Sequence, residues 1–357
     1  MTVDRTPVDT AVEQYGDDRV TEATAPLHDQ ITALDHDLAA AQDTIAAQAA
    51  RIADLEAQLN PPPADGPMDH YGVALVLQNS ADYGDLDRVL GDLEYLGVRS
   101  IRARFQSGGR GARVMEWCVA NDVKWCVSFA PESWFEVGAP SVASICDQYE
   151  AQARECLSLP GATEVVDSIE VANEPQSSRN STVIADWAAR VIAVTRRARE
   201  VRDSLAPSVK VLSAAMHVND HGGADWLAVA ESAADVDAIS LHHYPKGDTI
   251  TTLLDERIAT AQAAFPGLKV VITEHGWVSS PPYKVPSTGG PRYVTPERCA
   301  ELVAETPGIL YDHPDVEHAF LFELEGGTGT GNQDARGLVY QGSWTAAGEA
   351  LKEMSEQ

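Results

Sequence analysis

Two glutamates carry the chemistry open to this chain: Glu174, in Asn173-Glu174-Pro175, and Glu274, in Glu274-His275-Gly276-Trp277. Each follows a short apolar run, so each belongs where a buried strand gives way to a loop. Two carboxyl groups held close together divide labour. One keeps its proton and serves as general acid, while the other stays ionised and attacks an electrophilic carbon. Polar groups also end the other apolar runs: Asn79, Arg104, Glu132, His217, the triplet His242-His243-Tyr244, and Glu323 with Glu325. The period of two along a strand puts Glu170, Ala172 and Glu174 on one face. By the same rule Ser240, His242 and Tyr244 share a face, and so do Val270, Ile272 and Glu274. A glutamate at 170, buried beneath Glu174, needs a cationic partner, which Arg102 or Arg104 can supply.

The elements that must position these groups alternate strictly. Strands are expected at Gly72–Gln78, Val98–Phe105, Val123–Ala130, Val165–Ala172, Val209–Ala215, Val236–His243, Leu268–Thr273 and Val316–Phe322. Helices are expected at Leu86–Leu96, Ala112–Ala120, Val142–Leu157, Val183–Ser204, Trp226–Ala233, Leu253–Phe265, Pro296–Leu310 and Ala346–Met354. Near-continuous Val, Ile and Ala runs are what a parallel sheet covered on both faces requires. Eight strand–helix units within residues 68–357 predict an α/β fold, a (β/α)₈ TIM barrel. A doubly wound sheet usually has fewer strands and often opens with a Gly-rich phosphate turn, and Leu77–Asp85 (LQNSADYGD) is no such turn. In a barrel of this kind the chemistry sits at the C-terminal ends of the strands, where the polar groups above fall.

Ahead of the barrel the pattern changes. Residues 1–26 are polar and acidic without periodicity, which predicts a flexible or partner-ordered arm. Leu27, Ile31, Leu34, Leu38, Ala41, Ile45, Gln48, Ile52, Leu55 and Leu59 then alternate spacings of four and three, the seam of a coiled coil over 27–59. A single helix lying on the barrel would show a wider apolar stripe. Ile or Leu at every a position favours two strands, whereas Ala41 and Gln48 at d leave three open. The expected state is therefore a homo-oligomer, a dimer or a trimer. Residues 60–67, with Asn60-Pro61-Pro62-Pro63, form a stiff Pro-rich linker.

The segments Ile169-Glu170-Val171-Ala172-Asn173-Glu174-Pro175 and Ile272-Thr273-Glu274-His275-Gly276-Trp277 resemble glycoside hydrolase clan A, the retaining (β/α)₈-barrel glycosidases. Their acid/base and nucleophile end strands four and seven. The likeness covers residues 68–357. It extends to His242-x-Tyr244 on strand six, and to Arg336-Gly337-Leu338-Val339 followed by Thr345–Leu351. The resemblance implies Glu174 as acid/base, Glu274 as nucleophile, Asn173 on the sugar 2-hydroxyl and Tyr244 against the nucleophile. His242, Arg104, Trp277 and Glu323 are further candidate substrate contacts, with Glu170, Arg102 and His217 in support. Trp277, Trp134 and Tyr283 are candidate stacking platforms. Two stretches depart from the clan pattern. Many members carry Trp at the end of strand eight, where this chain has Phe322-Glu323, and a histidine after strand three, where it has Ala130-Pro131-Glu132-Ser133-Trp134. Retaining cleavage of a glycosidic bond needs the two carboxyl groups about 5–5.5 Å apart, within reach of strands on opposite sides of a narrow barrel mouth.

Composition bounds the partners. With 54 acidic and 26 basic residues the net charge is −28, which repels phosphate backbones and anionic headgroups, so neither nucleic acid nor a membrane is expected as partner. No apolar run approaches a membrane span, and no secretory signal is visible. Cys118, Cys126, Cys146, Cys156 and Cys299 lack ligand spacing and are expected to be reduced and mostly buried. No cofactor and no metal are expected: a metal-dependent barrel hydrolase could draw on His217, His221, His242 and His243, but the first strand lacks His-x-His. Arm, coiled coil, Pro hinge and hydrolase together resemble a minor tail protein of a bacteriophage infecting actinobacteria. That resemblance implies a virion protein acting at the host cell surface on an envelope polysaccharide, with residues 1–26 docking on other tail proteins. The alternatives are a cytoplasmic oligomeric glycosidase, and a catalytically silent carbohydrate-binding adhesin, which would be expected to lose one carboxylate.

Overall fold

In the computed structural model of the chain, the Val-, Ile- and Ala-rich runs lie side by side as parallel strands, each buried between the barrel interior and a layer of helices. The structure describes residues 66–78, 83–176, 183–217, 223–245, 249–279, 293–325, 337–340 and 342–356, with scattered helical positions between 34 and 51. The chain divides into two compact units, Met1–Asp65 and Gly66–Gln357.

The second unit is the expected (β/α)₈ TIM barrel. Its strands are β1 (Tyr71–Leu75), β2 (Ser100–Arg104), β3 (Lys124–Ala130), β4 (Val166–Ala172), β5 (Lys210–Leu212), β6 (Ile239–His243), β7 (Val270–His275) and β8 (Val316–Phe322). They pair in the order β5-β4-β3-β2-β1-β8-β7-β6. The ring closes through residues 210–217: Leu212 bridges Ala238, and the short stretch Met216–His217 runs beside β6, Met216 opposite Leu241 and His217 opposite His242. The fifth strand, expected as one run, is thus broken in two.

Each strand is followed by a helix: α1 (Leu86–Leu96), α2 (Gly109–Asn121), α3 (Val142–Leu157), α4 (Trp187–Leu205), α5 (Ala224–Ala228), α6 (Leu254–Ala264), α7 (Pro296–Tyr311) and α8 (Ala346–Ser355). Four start on a side-chain cap. Asp85, Ser141, Thr295 and Thr345 each accept a hydrogen bond from the backbone N–H three residues on, and Pro296 occupies the first turn of α7, where an N–H has no helical partner. The helix expected over Trp226–Ala233 is instead the short α5 and a 3₁₀ turn, Ala230–Asp235.

Two packed layers result. Outward-facing residues such as Val73, Ile101, Val127, Ile169, Val211, Leu241 and Ile272 meet the helices. Inside, Ala74, Cys126, Leu212, Ala238, Val271, Phe320 and Phe322 form a second apolar cluster. Near the base of this interior β1 offers only Gly72. A Cβ there would lie 2.4 Å from the Ser100 carbonyl and 2.9 Å from the Phe320 ring, so Gly72→Ala is expected to cost about 1–3 kcal/mol by overpacking. A urea midpoint unchanged from wild type would contradict this.

One alternation is corrected. Val270 and Ile272 face outward and Val271 inward, so simple parity would turn Glu274 away from the interior. Leu241 pairs with Ile272 but His242 pairs with Glu274, which makes Thr273 an extra residue on β7. This bulge re-aims the strand end and brings Glu274 inside.

In the first unit the described seam positions Leu34, Leu38, Ala41, Ile45 and Gln48 are all helical and exposed, with Leu34, Leu38 and Ile45 between 58% and 66% exposed. The rest of the seam, the arm at 1–26 and the linker at 60–65 lie outside the described residues. Among the described residues no helix is long and apolar enough to cross a membrane.

Candidate active site

The chain leaves β4 through a strained turn. Glu174 has φ 41°, a left-handed conformation that costs a residue with a side chain on the order of 1–3 kcal/mol, and it precedes Pro175, which narrows its backbone choices further. Pairing holds it there: Asn173 bridges Ala215, and the Glu174 N–H donates to the Ala215 carbonyl at 2.9 Å. Across the mouth, Glu274 is followed by Gly276, where a Cβ would meet the Phe322 carbonyl at 2.7 Å.

Arg102 is the hub between the two. Its Nη1 donates to Glu274 Oε1 at 2.6 Å, and its Nη2 donates to Asn173 Oδ1 at 2.6 Å and to Glu170 Oε1. The second oxygen of Glu170 accepts from Ser240 Oγ at 3.1 Å, and Ser240 lies 2.6 Å from Thr273 Oγ1. Arg102 is buried, which by itself opposes its charge, yet Glu170 and Glu274 hold it protonated above the ordinary arginine range. The cationic partner of Glu170 is therefore Arg102. Arg104, half-buried, sits one step nearer the mouth on the same face of β2.

Glu274 Oε2 accepts from the Tyr244 hydroxyl at 2.6 Å. Arg102 thus holds one Glu274 oxygen and Tyr244 the other. Tyr244 is set by Arg257 of α6, whose Nη1 donates to the Tyr244 carbonyl and lies 2.9 Å from His243 Nδ1. Its ring meets that of Phe322 edge-on, the centroids 6.3 Å apart. His242 Nδ1 lies 2.9 Å from Glu174 Oε1 and 3.5 Å from Glu274 Oε2. The oxygen and nitrogen atoms that Glu174, His242 and Glu274 present to one another all lie within 4.8 Å. Among the described residues these are the three that could also hold a metal ion.

Burial alone would discharge His242, but Glu274 and Glu174 outweigh it and raise its pKa above the ordinary value of 6.5. A group that binds its proton more tightly when folded adds stability below its ordinary pKa, and that stability is lost as pH rises through the folded value. Stability should therefore decline just above pH 6.5 in the wild type and less steeply in His242→Gln. Equal slopes of urea midpoint against pH would contradict this. His243 and His275, on the outward face, are pushed by burial down to about 3 and stay neutral.

The remaining sequence candidates scatter. Glu323 is buried at the end of β8, after a cis peptide bond from Phe322, and accepts from the Tyr83 hydroxyl at 3.3 Å. Glu325 is paired with Arg88 of α1. Trp277 and Trp134 are corrections: both are buried, Trp277 edge-on to His275 with centroids 6.0 Å apart, so they serve packing rather than open stacking platforms. The backbone of His217 pairs beside His242, while its side chain, the Glu132 side chain, Asn79, His221, Tyr283 and Arg336 lie outside the described residues. Sequence reasoning missed Thr273, Tyr83 and Arg257. A polar residue in an apolar strand could have signalled Thr273; nothing local marks the other two.

No protein-family model matches the chain, and no curated protein does. Solved structures do. A GH128 (subgroup I) endo-beta-1,3-glucanase from Amycolatopsis mediterranei, in complex with laminaritriose, superposes with TM-score 0.52 at 15% identity over 80% of this chain and 99% of that one. A GH2 beta-galacturonidase from Eisenbergiella tayi, bound to galacturonate, gives 0.57 at 14% identity over 80% of this chain and 50% of the other. The beta-glucuronidase from Ruminococcus gnavus in complex with D-glucuronic acid gives 0.54 at 13%, over 80% and 48%. The shared feature is the fold. The chain spans essentially the whole of the glucanase but about half the length of the other two enzymes.

Proposed function

We propose that the barrel is a retaining glycoside hydrolase that cleaves a cell-envelope polysaccharide by double displacement. One observation carries this reading: two buried glutamates, from β4 and β7, present oxygens within 4.8 Å of each other at the C-terminal mouth of the barrel. That agrees with the carboxyl separation of retaining glycosidases, about 5–5.5 Å, and falls short of the roughly 6.5–9.5 Å an inverting enzyme needs to seat a water.

In the proposed reaction Glu274, oriented by Arg102 and Tyr244, attacks the anomeric carbon while Glu174 protonates the departing oxygen. The product is a glycosyl ester on Glu274. Glu174, now ionised, takes a proton from a water that attacks the same carbon, releasing the sugar with its original configuration and regenerating Glu274. Arg102 also orients Asn173, which is proposed to meet the sugar 2-hydroxyl. His242, Arg104 and Glu323 are proposed further substrate contacts. Fold likeness to a glucanase crystallised with laminaritriose favours an oligosaccharide or polysaccharide substrate. Assay against a panel of aryl glycosides and envelope polysaccharides tests the reading: turnover by the wild type, absent from Glu174→Gln/Glu274→Gln, supports it. Binding of a polysaccharide without turnover would favour the silent adhesin.

Residues 27–59 are proposed to join barrels through a parallel coiled coil, and residues 1–26 to dock on other tail proteins of a virion that works at the host surface. Helical seam positions with exposed leucine and isoleucine support the first part, because one chain alone cannot bury them. Full-length protein is expected to sediment as a dimer or trimer at micromolar concentration, and a chain starting at Met68 as a monomer. A monomeric full-length chain would contradict the assembly.

A further inference from the structure

We infer that Glu174, His242 and Glu274 form a binding site for one divalent cation of the zinc class, and that occupying it blocks the hydrolysis proposed above. The consequence for activity rests on that reading; the binding can be measured without it.

Geometry comes first. His242 Nδ1 lies 2.9 Å from Glu174 Oε1 and 3.5 Å from Glu274 Oε2, and one ligand atom from each of the three residues can be chosen so that all lie within 4.8 Å of one another. Zinc binds imidazole nitrogen and carboxylate oxygen at about 2.0–2.2 Å, which sets tetrahedral ligands on the order of 3.4 Å apart. Two of these distances are already near that length, and a small rotation of either glutamate closes the third. The three side chains, at 4%, 1% and 5% exposed, are held by their surroundings rather than waving in solvent. Arg102 and Tyr244 fix Glu274 from behind, as outer partners do for metal ligands.

Charge supplies the second argument. The described cluster contains three carboxyl groups, Glu170, Glu174 and Glu274, and one permanent cation, Arg102. Such a buried, carboxyl-rich place is receptive to further positive charge. A dication brings it in one step and displaces the protons its ligands carry, since only the deprotonated groups coordinate. Imidazole among carboxylates selects zinc, copper or nickel over magnesium and calcium, which prefer oxygen alone. A bound ion removes the acid proton of Glu174 and occupies the attacking oxygen of Glu274, so substrate and metal exclude each other.

Calorimetric titration of the full chain with zinc chloride, and the visible spectrum of bound cobalt, test the site. Expected are one tight site per chain, no competition from excess magnesium, and at least tenfold weaker binding in both His242→Ala and Glu174→Gln, comparable with the roughly 10–100-fold that even outer-shell changes cost. Thermal melts establish that each variant is folded, and either folded variant suffices. No one-to-one phase, or tight binding unchanged in a folded variant, would overturn the inference. A chain that binds zinc in this way yet cleaves no glycoside would contradict the hydrolase reading alone. An active enzyme untouched by zinc would contradict this inference alone.

Discussion

Glu274→Gln is expected to lower hydrolysis roughly 10⁴-fold or more, the scale on which losing a member of a catalytic unit is felt, whatever the leaving group. The amide keeps the volume of the side chain; its oxygen can accept from Arg102 while its NH2 donates to the Tyr244 hydroxyl, which turns to accept, so the barrel should stay folded. It cannot form the glycosyl ester. Arg102 also keeps its bond to Glu170 and is not left unpaired in the interior. A folded Glu274→Gln variant with near wild-type turnover would remove Glu274 from the mechanism.

Glu174→Ala should fail differently. An aryl leaving group of low pKa needs little protonation, so the first step survives on activated substrates, while the ester on Glu274 accumulates because its hydrolysis lacks a general base. Azide needs no deprotonation. It is expected to restore turnover of Glu174→Ala by tens of fold or more, giving a glycosyl azide with the substrate's own anomeric configuration. In Glu274→Ala azide would instead attack the substrate directly and give the inverted product. Inverted azide from the Glu174 variant, with retained azide from the Glu274 variant, would show that the two roles are exchanged.

Much of this was legible in the sequence because parallel strands covered on both faces must be apolar throughout, and eight such runs alternating with amphipathic stretches leave few architectures. Val316–Phe322, Leu86–Leu96 and Val142–Leu157 fall at their expected bounds. Strand ends also located Glu174 and Glu274. What escaped depends on register and depth, which spacing does not carry. Parity along β7 fails at Thr273, because a single extra residue reverses every later side chain. Arg102 and Arg104 share a face of β2; strand register alone would favour Arg104, which pairs with Ser128 as Ser128 pairs with Glu170, yet the partner in the structure is Arg102. The strain at Glu174 comes from the bridge to Ala215, a contact distant in sequence. Trp277, read as a candidate stacking platform, is packed edge-on against His275, which lies on the outward face. Local sequence marks an aromatic ring as large and apolar but not the side it faces.

The central claim is that Glu174 and Glu274 act as a retaining pair, and the anomeric configuration of the first product tests it most directly. Proton NMR in deuterated water, followed from the first seconds of wild-type hydrolysis of a substrate identified on the panel, reads that configuration before mutarotation scrambles it. The initially released sugar is expected to carry the substrate's own anomeric configuration, reaching the equilibrium mixture only later. Initial release of the opposite anomer would contradict double displacement on Glu274.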